Sequence, residues 1–453
     1  MYHPSKPGIR SMPWLAVVAL SLTMGQGCPP PVDDGQMDPD GGPGMDAGAG
    51  GDMDSGDSDA NTASDWPELA RLTAFDPGGD DLYGDAVAAT DSMVVVGTEQ
   101  KDNLAGVVDV FVRFAGEWRF LERLERGPAR FPQQSFGSAV AVSNRHVFVG
   151  AQKFDIEGSF NIQHGGVYVF ENVGPGLVQS QILTINDGQD FENLGGALAY
   201  EPNQSRLIAG AQGRASSRGA AYVFSFDGSD FSREARLLAS DGGSFDRFGT
   251  SVAMAGTTAV VGAPNQNSGL GAVYIFERSV NQWSETQKIV APDGAQTDQF
   301  GAAVAISGNT LVISAPAKMR PQDTLLSAGY VYIYTRSNGL WMLEQTLIPT
   351  DADAGLFGSS VAARNGIIAV GIEGKGKVLI YEQTNGQWTN TATIDTNGEN
   401  VDSFGEALAI AEDLLVVGAR SANANNQRAA GAAYIFAPPG ANDGPNIPGG
   451  VRF

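Results

Sequence analysis

The sequence predicts an all-β fold, a seven-bladed β-propeller of four-stranded antiparallel blades. Three observations carry this. An aromatic-or-Leu plus Gly pair recurs at Tyr83-Gly84, Phe136-Gly137, Leu194-Gly195, Phe248-Gly249, Phe300-Gly301, Phe357-Gly358 and Phe404-Gly405, with intervals of 53, 58, 54, 52, 57 and 47 residues. Each interval holds short β-branched or aromatic runs bounded by Gly, Asn or Pro, which are strand and turn signals. The segment before the first pair also parallels the fourth run of later repeats, so the chain start can complete the last blade.

The four runs follow one order. The first opens on the pair, as in FGTSVAMAG at 248–256 and FGAAVAISG at 300–308. Its small residues suit strands converging on a narrow axis. The second ends near Gly-Ala-Pro: VVGAP at 260–264, VISAP at 312–316, VVGAR at 416–420. A variable loop leads to the third, as in GAVYIF at 271–276 and GYVYIY at 329–334. The fourth starts near Trp118, Phe231, Trp283, Trp341 or Trp388. Four antiparallel strands per fifty or so residues is the unit of a propeller blade. The rival, a parallel β-helix, has shorter coils and no alternation of tight hairpins with long loops.

The paired Phe fills a gap between blades, and its Gly admits a neighbouring backbone. The chain stops one strand short after Tyr434-Ile435-Phe436, and WPELARLTAFD at 66–76 parallels WSETQKIVAPD at 283–293. The strand at 66–74 is therefore expected to close the blade begun by Phe404. Residues 66–436 make 371 positions, or 53 for each of seven blades.

These residues resemble the FG-GAP repeat family, the module of the integrin α-subunit head. The resemblance rests on the FG pairs, the Gly-Ala-Pro endings and the Gly-x-x-Tyr-x-Phe strands, and covers about four fifths of the chain. It implies a seven-bladed propeller used for extracellular binding and adhesion. Integrin-type blades carry an Asp-rich calcium loop between their first two strands. Here those hairpins read SNRHV at 143–147, AGTTA at 255–259 and SGNTL at 307–311, without the alternating acids that calcium needs. The family's calcium sites do not transfer.

Outside the repeats the chain reads differently. Residues 1–27 are an expected signal peptide: Lys6 and Arg10 precede the apolar run PWLAVVALSLTM at 13–24, too short to span a bilayer. Cys28, the single cysteine, stands where bacterial lipoproteins are cut and acylated. It is the expected lipid anchor, although Gly25 replaces the Leu usual three residues before it. Residues 28–65, rich in acid, Gly and Pro and without Lys, Arg or an aromatic, are an expected disordered stalk. Residues 437–453 are an expected flexible tail.

Composition narrows function. Net charge is −23, from 51 acids against 28 bases, which excludes nucleic acid as a main partner. One Cys and 3 His leave no material for a multi-Cys zinc or iron–sulfur site or a histidine metal cage. No nucleophile elbow or zincin helix is present. His146 and His164 read as surface residues. Gly374-Lys375-Gly376 hints at a phosphate loop but leads into a strand rather than a helix.

Two loop sets share one face. Before the inner strands, acids recur at Asp76 and Asp81, Asp187 and Glu192, Asp241 and Asp246, Asp293 and Asp298. They read as turn acceptors for backbone N–H, with Asp241, Asp246, Asp293 and Asp298 as weak candidates for a cation such as calcium. The longer second-to-third loops are more basic and supply the candidate ligand contacts Phe154, Phe160, His164, Arg320 and Arg420. Exposed apolar residues rimmed by charge mark binding patches.

The expectation is an exported, lipid-anchored, monomeric envelope protein, at the outer membrane or cell surface, that binds a protein or surface glycan and needs no cofactor. A periplasmic or secreted protein is the alternative location. A propeller hydrolase or lyase with a site at the axis, or a scaffold subunit of an envelope complex, is the alternative function.

Overall fold

The computed structural model describes residues 66–101, 105–126, 134–155, 163–185, 192–320, 327–349, 355–396, 401, 403–424 and 427–440. The expected signal peptide, Cys28 and the acidic stalk lie outside them, as do Phe160, Asp187 and residues 441–453.

Seven four-stranded antiparallel sheets form the expected propeller. Blade 7 begins the chain with β1 (Glu68–Leu72). Blade 1 is β2 (Ala86–Thr90), β3 (Met93–Thr98), β4 (Val107–Phe114) and β5 (Glu117–Leu124). Blade 2 is β6 (Phe136–Val142), β7 (His146–Ala151), β8 (Gly166–Asn172) and β9 (Leu177–Leu183). Blade 3 is β10 (Leu194–Glu201), β11 (Arg206–Ala211), β12 (Ala220–Phe226) and β13 (Phe231–Leu237). Blade 4 is β14 (Ser251–Ala255), β15 (Thr258–Ala263), β16 (Ala272–Ser279) and β17 (Gln282–Ile289). Blade 5 is β18 (Val304–Ser307), β19 (Thr310–Ala315), β20 (Tyr330–Ser337) and β21 (Leu340–Leu347). Blade 6 is β22 (Leu356–Arg364), β23 (Ile367–Glu373), β24 (Lys377–Thr384) and β25 (Gln387–Asp395). Blade 7 ends with β26 (Ala407–Ile410), β27 (Leu415–Ala419) and β28 (Ala432–Phe436).

Each first strand packs beside the first strand of the next blade, and β26 meets β2 to complete the ring. Closure is as the sequence predicts. β1 pairs with β28, Glu68 opposite Phe436 and Leu72 opposite Ala433, and Trp66 is buried in one cluster with Tyr434. Ala437 is still buried and donates its N–H to the Pro67 carbonyl at 3.1 Å. A closed ring leaves no open inner edge to template aggregation.

The repeated motif is a joint between blades. The seven paired aromatics or Leu are buried to at most 1% exposure, each worth about 2 kcal/mol of burial. Most pack edge-on against a Tyr of their own third strand, as Phe300 does on Tyr332 at 5.3 Å. The glycine of the Gly-Ala-Pro ending faces the next blade: a Cβ on Gly262 would stand 2.1 Å from the Gly301 carbonyl oxygen. Only glycine allows that approach. Gly97, Gly150, Gly210, Gly371 and Gly418 repeat it, whereas blade 5 carries Ser314.

Polar clasps add a second tie. The Gln287 amide accepts from Trp341 N–H at 2.8 Å and donates to Trp341 C=O at 2.9 Å. Gln181 with Phe231 and Gln345 with Trp388 do the same. Strand order puts the second-to-third and fourth-to-first connections on one face, the loop face. The tight hairpins lie on the other, where β28 ends and β1 begins.

Candidate functional site

The recurring acids hold turns, and in blades 1, 3 and 5 a cation from the same blade meets them. Asp81, Asp246 and Asp298 accept backbone N–H from Gly78, Gly243 and Ala295 at 2.6, 2.6 and 2.8 Å. In blade 5 the Lys318 ammonium donates to Asp298 Oδ2 at 2.9 Å and to the Asp293 carbonyl at 2.6 Å. Asp293 also accepts from the Tyr332 hydroxyl at 2.7 Å. Lys101 in blade 1 repeats this, 2.9 Å from Asp81 and from the Asp76 carbonyl. Arg214 in blade 3 pairs with Glu192 at 3.1 Å. An ammonium thus stands where a bound cation at Asp293 and Asp298 would sit. In blade 4 Asp241 accepts from the Tyr274 hydroxyl and pairs with Lys288, both at 2.7 Å. The Lys288 and Tyr274 hydrogen bonds hold the Asp241 carboxyl below the usual range.

The ligand candidates disperse. Phe154 is half-buried, edge-on to Tyr168 at 5.9 Å and packed over Gly166. Arg320 is 8% exposed and donates to the Pro349 carbonyl. His164 is half-buried, and its carbonyl accepts from Leu194 N–H at 3.1 Å. His146, expected at the surface, is 3% exposed. It opens β7 facing the gap between blades 2 and 3, ringed by Phe148, Phe226 and Phe231. Burial and the Arg145 charge push its imidazole down.

Arg420 alone gathers a charged cluster, at the loop-face mouth of the axis. The residue after each paired glycine and the second residue after each joint glycine meet there, because both stand at the loop-face ends of the two innermost strands. In blades 6, 7 and 1 these positions hold Glu373, Glu406, Arg420, Asp85 and Glu99. The Arg420 guanidinium lies 2.5 Å from Glu406, 3.4 Å from Asp85 and 3.8 Å from Glu373. Lys153 lies 3.6 Å from Glu99. Four carboxylates face two cations.

Glu406 Oε2 is buried without a hydrogen-bond partner. Burial, with Glu373 and Asp85 adding to it against the pull of Arg420, pushes the Glu406 carboxyl up to about 7. Burial also raises Asp85, opposed by Arg420. The mouth is therefore a partly desolvated acidic site that can receive a cation or a hydrogen-bond donor. Loop position in the sequence points to Arg420 but not to its acids. The signal was positional: an acid directly after the paired glycine occurs only at Asp85 and Glu406.

The architecture defines a repeat-built propeller, a binding-type scaffold. The FG-GAP repeat family matches residues 66–111, 231–276, 283–334 and 388–436, so the propeller carries FG-GAP repeats over those stretches. No curated protein matches. Among solved structures, a crystal structure of RRP9 WD40 repeats superposes with a TM-score of 0.53 at 12% identity, covering 81% of this chain and 96% of that chain. That likeness is one of fold alone.

Proposed function

We propose that the protein is exported, anchored through lipid on Cys28, and binds a protein partner that presents a basic side chain to the axial mouth. One observation carries the choice of partner: three carboxylates share the single Arg420 guanidinium, and one of their oxygens is buried unpaired. A lysine or arginine entering there supplies the missing charge and donor. The chain's net charge of −23 favours basic partners over anionic ones. The apolar run before Cys28 supports export. Because residue 66 enters on the hairpin face, the loop face is the one opposite the chain's entry.

Membranes of cells expressing the wild type, Cys28→Ser, or Glu373→Gln/Glu406→Gln, probed with a labelled tetralysine peptide at low and high salt, test this. Wild-type membranes should retain the peptide, and high salt should release it. The glutamine pair should bind at least tenfold less, and Cys28→Ser protein should leave the membrane fraction. Equal retention by the glutamine pair would remove the axis as the working surface.

A second reading is favoured by one fact. A carboxyl that titrates near 7 beside a guanidinium suits a general acid, and would make the axis a hydrolase or lyase site. Turnover of envelope oligosaccharides that is lost in Glu406→Gln would select it over binding.

A further inference from the structure

A cleft of about 500 Å³ opens between blades 5 and 6, on the outer side of the ring and away from the axial mouth. Two local departures from the repeat make it. The third strand of blades 4 and 5 carries Tyr274 and Tyr332, which cap Asp241 and Asp293. Blade 6 has Leu379 at that register, so a phenol ring is missing. The second-to-third connection of blade 6 is three residues, Gly374 to Gly376, against eight or more in the other blades. No long loop folds back from that connection.

The lining is chemically distinct. Lys375 and Lys377 both line the cleft, and among the described residues no carboxylate does, in a chain with 51 acids and 28 bases. Among the described residues neither lysine makes an ion pair. Lys318, the counterpart of Lys375 in blade 5, is spent on Asp298. Tyr381 and Trp388 form an aromatic wall, with Leu379 between the lysines and Tyr381 along β24 and the Thr393 hydroxyl on β25. Trp388 is 4% exposed, and its indole N–H has no hydrogen-bond partner. Trp118 and Trp341 share that unpaired N–H but line no part of this cleft. Trp283, the blade 4 counterpart, donates to Glu234 at 3.3 Å.

We propose that this cleft binds an acidic sugar, its carboxylate between Lys375 and Lys377 and a pyranose face against Tyr381 and Trp388. Asp395 stands opposite Lys377 across the sheet but does not line the cleft, and two ammonium groups with no ion pair among the described residues select an anion there. Aromatic walls with hydroxyl and N–H groups select a ring that is apolar on its face and polar at its edge. The site does not depend on the axial reading, whose ligand carries the opposite charge.

Tryptophan fluorescence and calorimetry on the full chain test it, with three probes: the glucuronate–N-acetylglucosamine disaccharide, uncharged diacetylchitobiose, and inorganic phosphate. The acidic disaccharide should bind at least tenfold more tightly than either other probe. Lys375→Gln/Lys377→Gln should weaken it at least tenfold. Leu379→Tyr, which restores the ring of blades 4 and 5, should abolish binding with Tm unchanged or raised. Glu373→Gln/Glu406→Gln should leave it unaltered. Equal binding of chitobiose would overturn the anion selection, and equal binding of phosphate the sugar. No binding of the disaccharide, or binding that survives Leu379→Tyr, would overturn the site.

Discussion

In blade 5, fourteen residues between β19 and β20 send Lys318 back under the turn that precedes β18, and Tyr332 closes the same turn from the sheet. In blade 6 the equivalent connection spans three residues, Leu379 stands in place of the tyrosine, and a cleft lined by two lysines results. Both blades keep the buried aromatic of the pair, Phe300 and Phe357, and both hold four strands. The joint between blades and the ties around each turn are therefore separable. The first makes a ring. The second varies from blade to blade without opening it, and that variation is where this ring acquires chemistry.

The comparison can be broken at the joint first. Gly371→Val should have the largest effect, because even a Cβ there would stand 1.9 Å from the Gly405 carbonyl oxygen. A loss of about 4 kcal/mol or more is expected, read as insoluble protein or a collapsed denaturant midpoint. A soluble variant with the wild-type midpoint would show that the joint tolerates bulk.

The ties come next. Lys318→Met leaves Asp298, 5% exposed, without its ammonium, and should cost roughly 3 kcal/mol in urea unfolding. Lys375→Met, at the same register in blade 6, should change stability by less than about 0.5 kcal/mol. Equal losses would erase the distinction between the two blades.

The smallest effect is a pH slope. Folded Glu406 titrates near 7, above its ordinary 4.5, so across that window the folded state holds a proton that the unfolded chain has released. Stability contributed by this group is present below about 4.5 and is lost as pH rises through 7. Glu406→Gln should flatten that part of the Tm–pH curve. An unchanged slope would assign it to other groups.

The fold was legible because its period is one blade and its punctuation is sterically enforced. The paired glycine holds a φ between 86° and 94° in all seven blades, a conformation other residues rarely adopt, so it marks every repeat, and Trp66 announced its partner blade by matching Trp283. The site was legible only in part. Spacing told which loop carried Phe154, Lys318 and Arg320, but not that these side chains turn inward to pack or pair. Arg420 was found, whereas Asp85, 335 residues earlier, reaches it only through ring closure. His146 was misplaced because its hairpin position suggested solvent, while its first-in-strand register aims it at Phe226 and Phe231. The cleft had left a trace: GKVLIY at 376–381 against GYVYIY at 329–334 shows a leucine for a tyrosine.

Ring closure also sets an order of events. Glu68 finds its partner in Phe436, 368 positions later in the chain. The strand that emerges first during synthesis must therefore wait, unpaired, until the last has been made. For that interval β1 presents open backbone N–H and C=O groups beside the acidic residues that precede it, whose mutual repulsion discourages another copy from docking there.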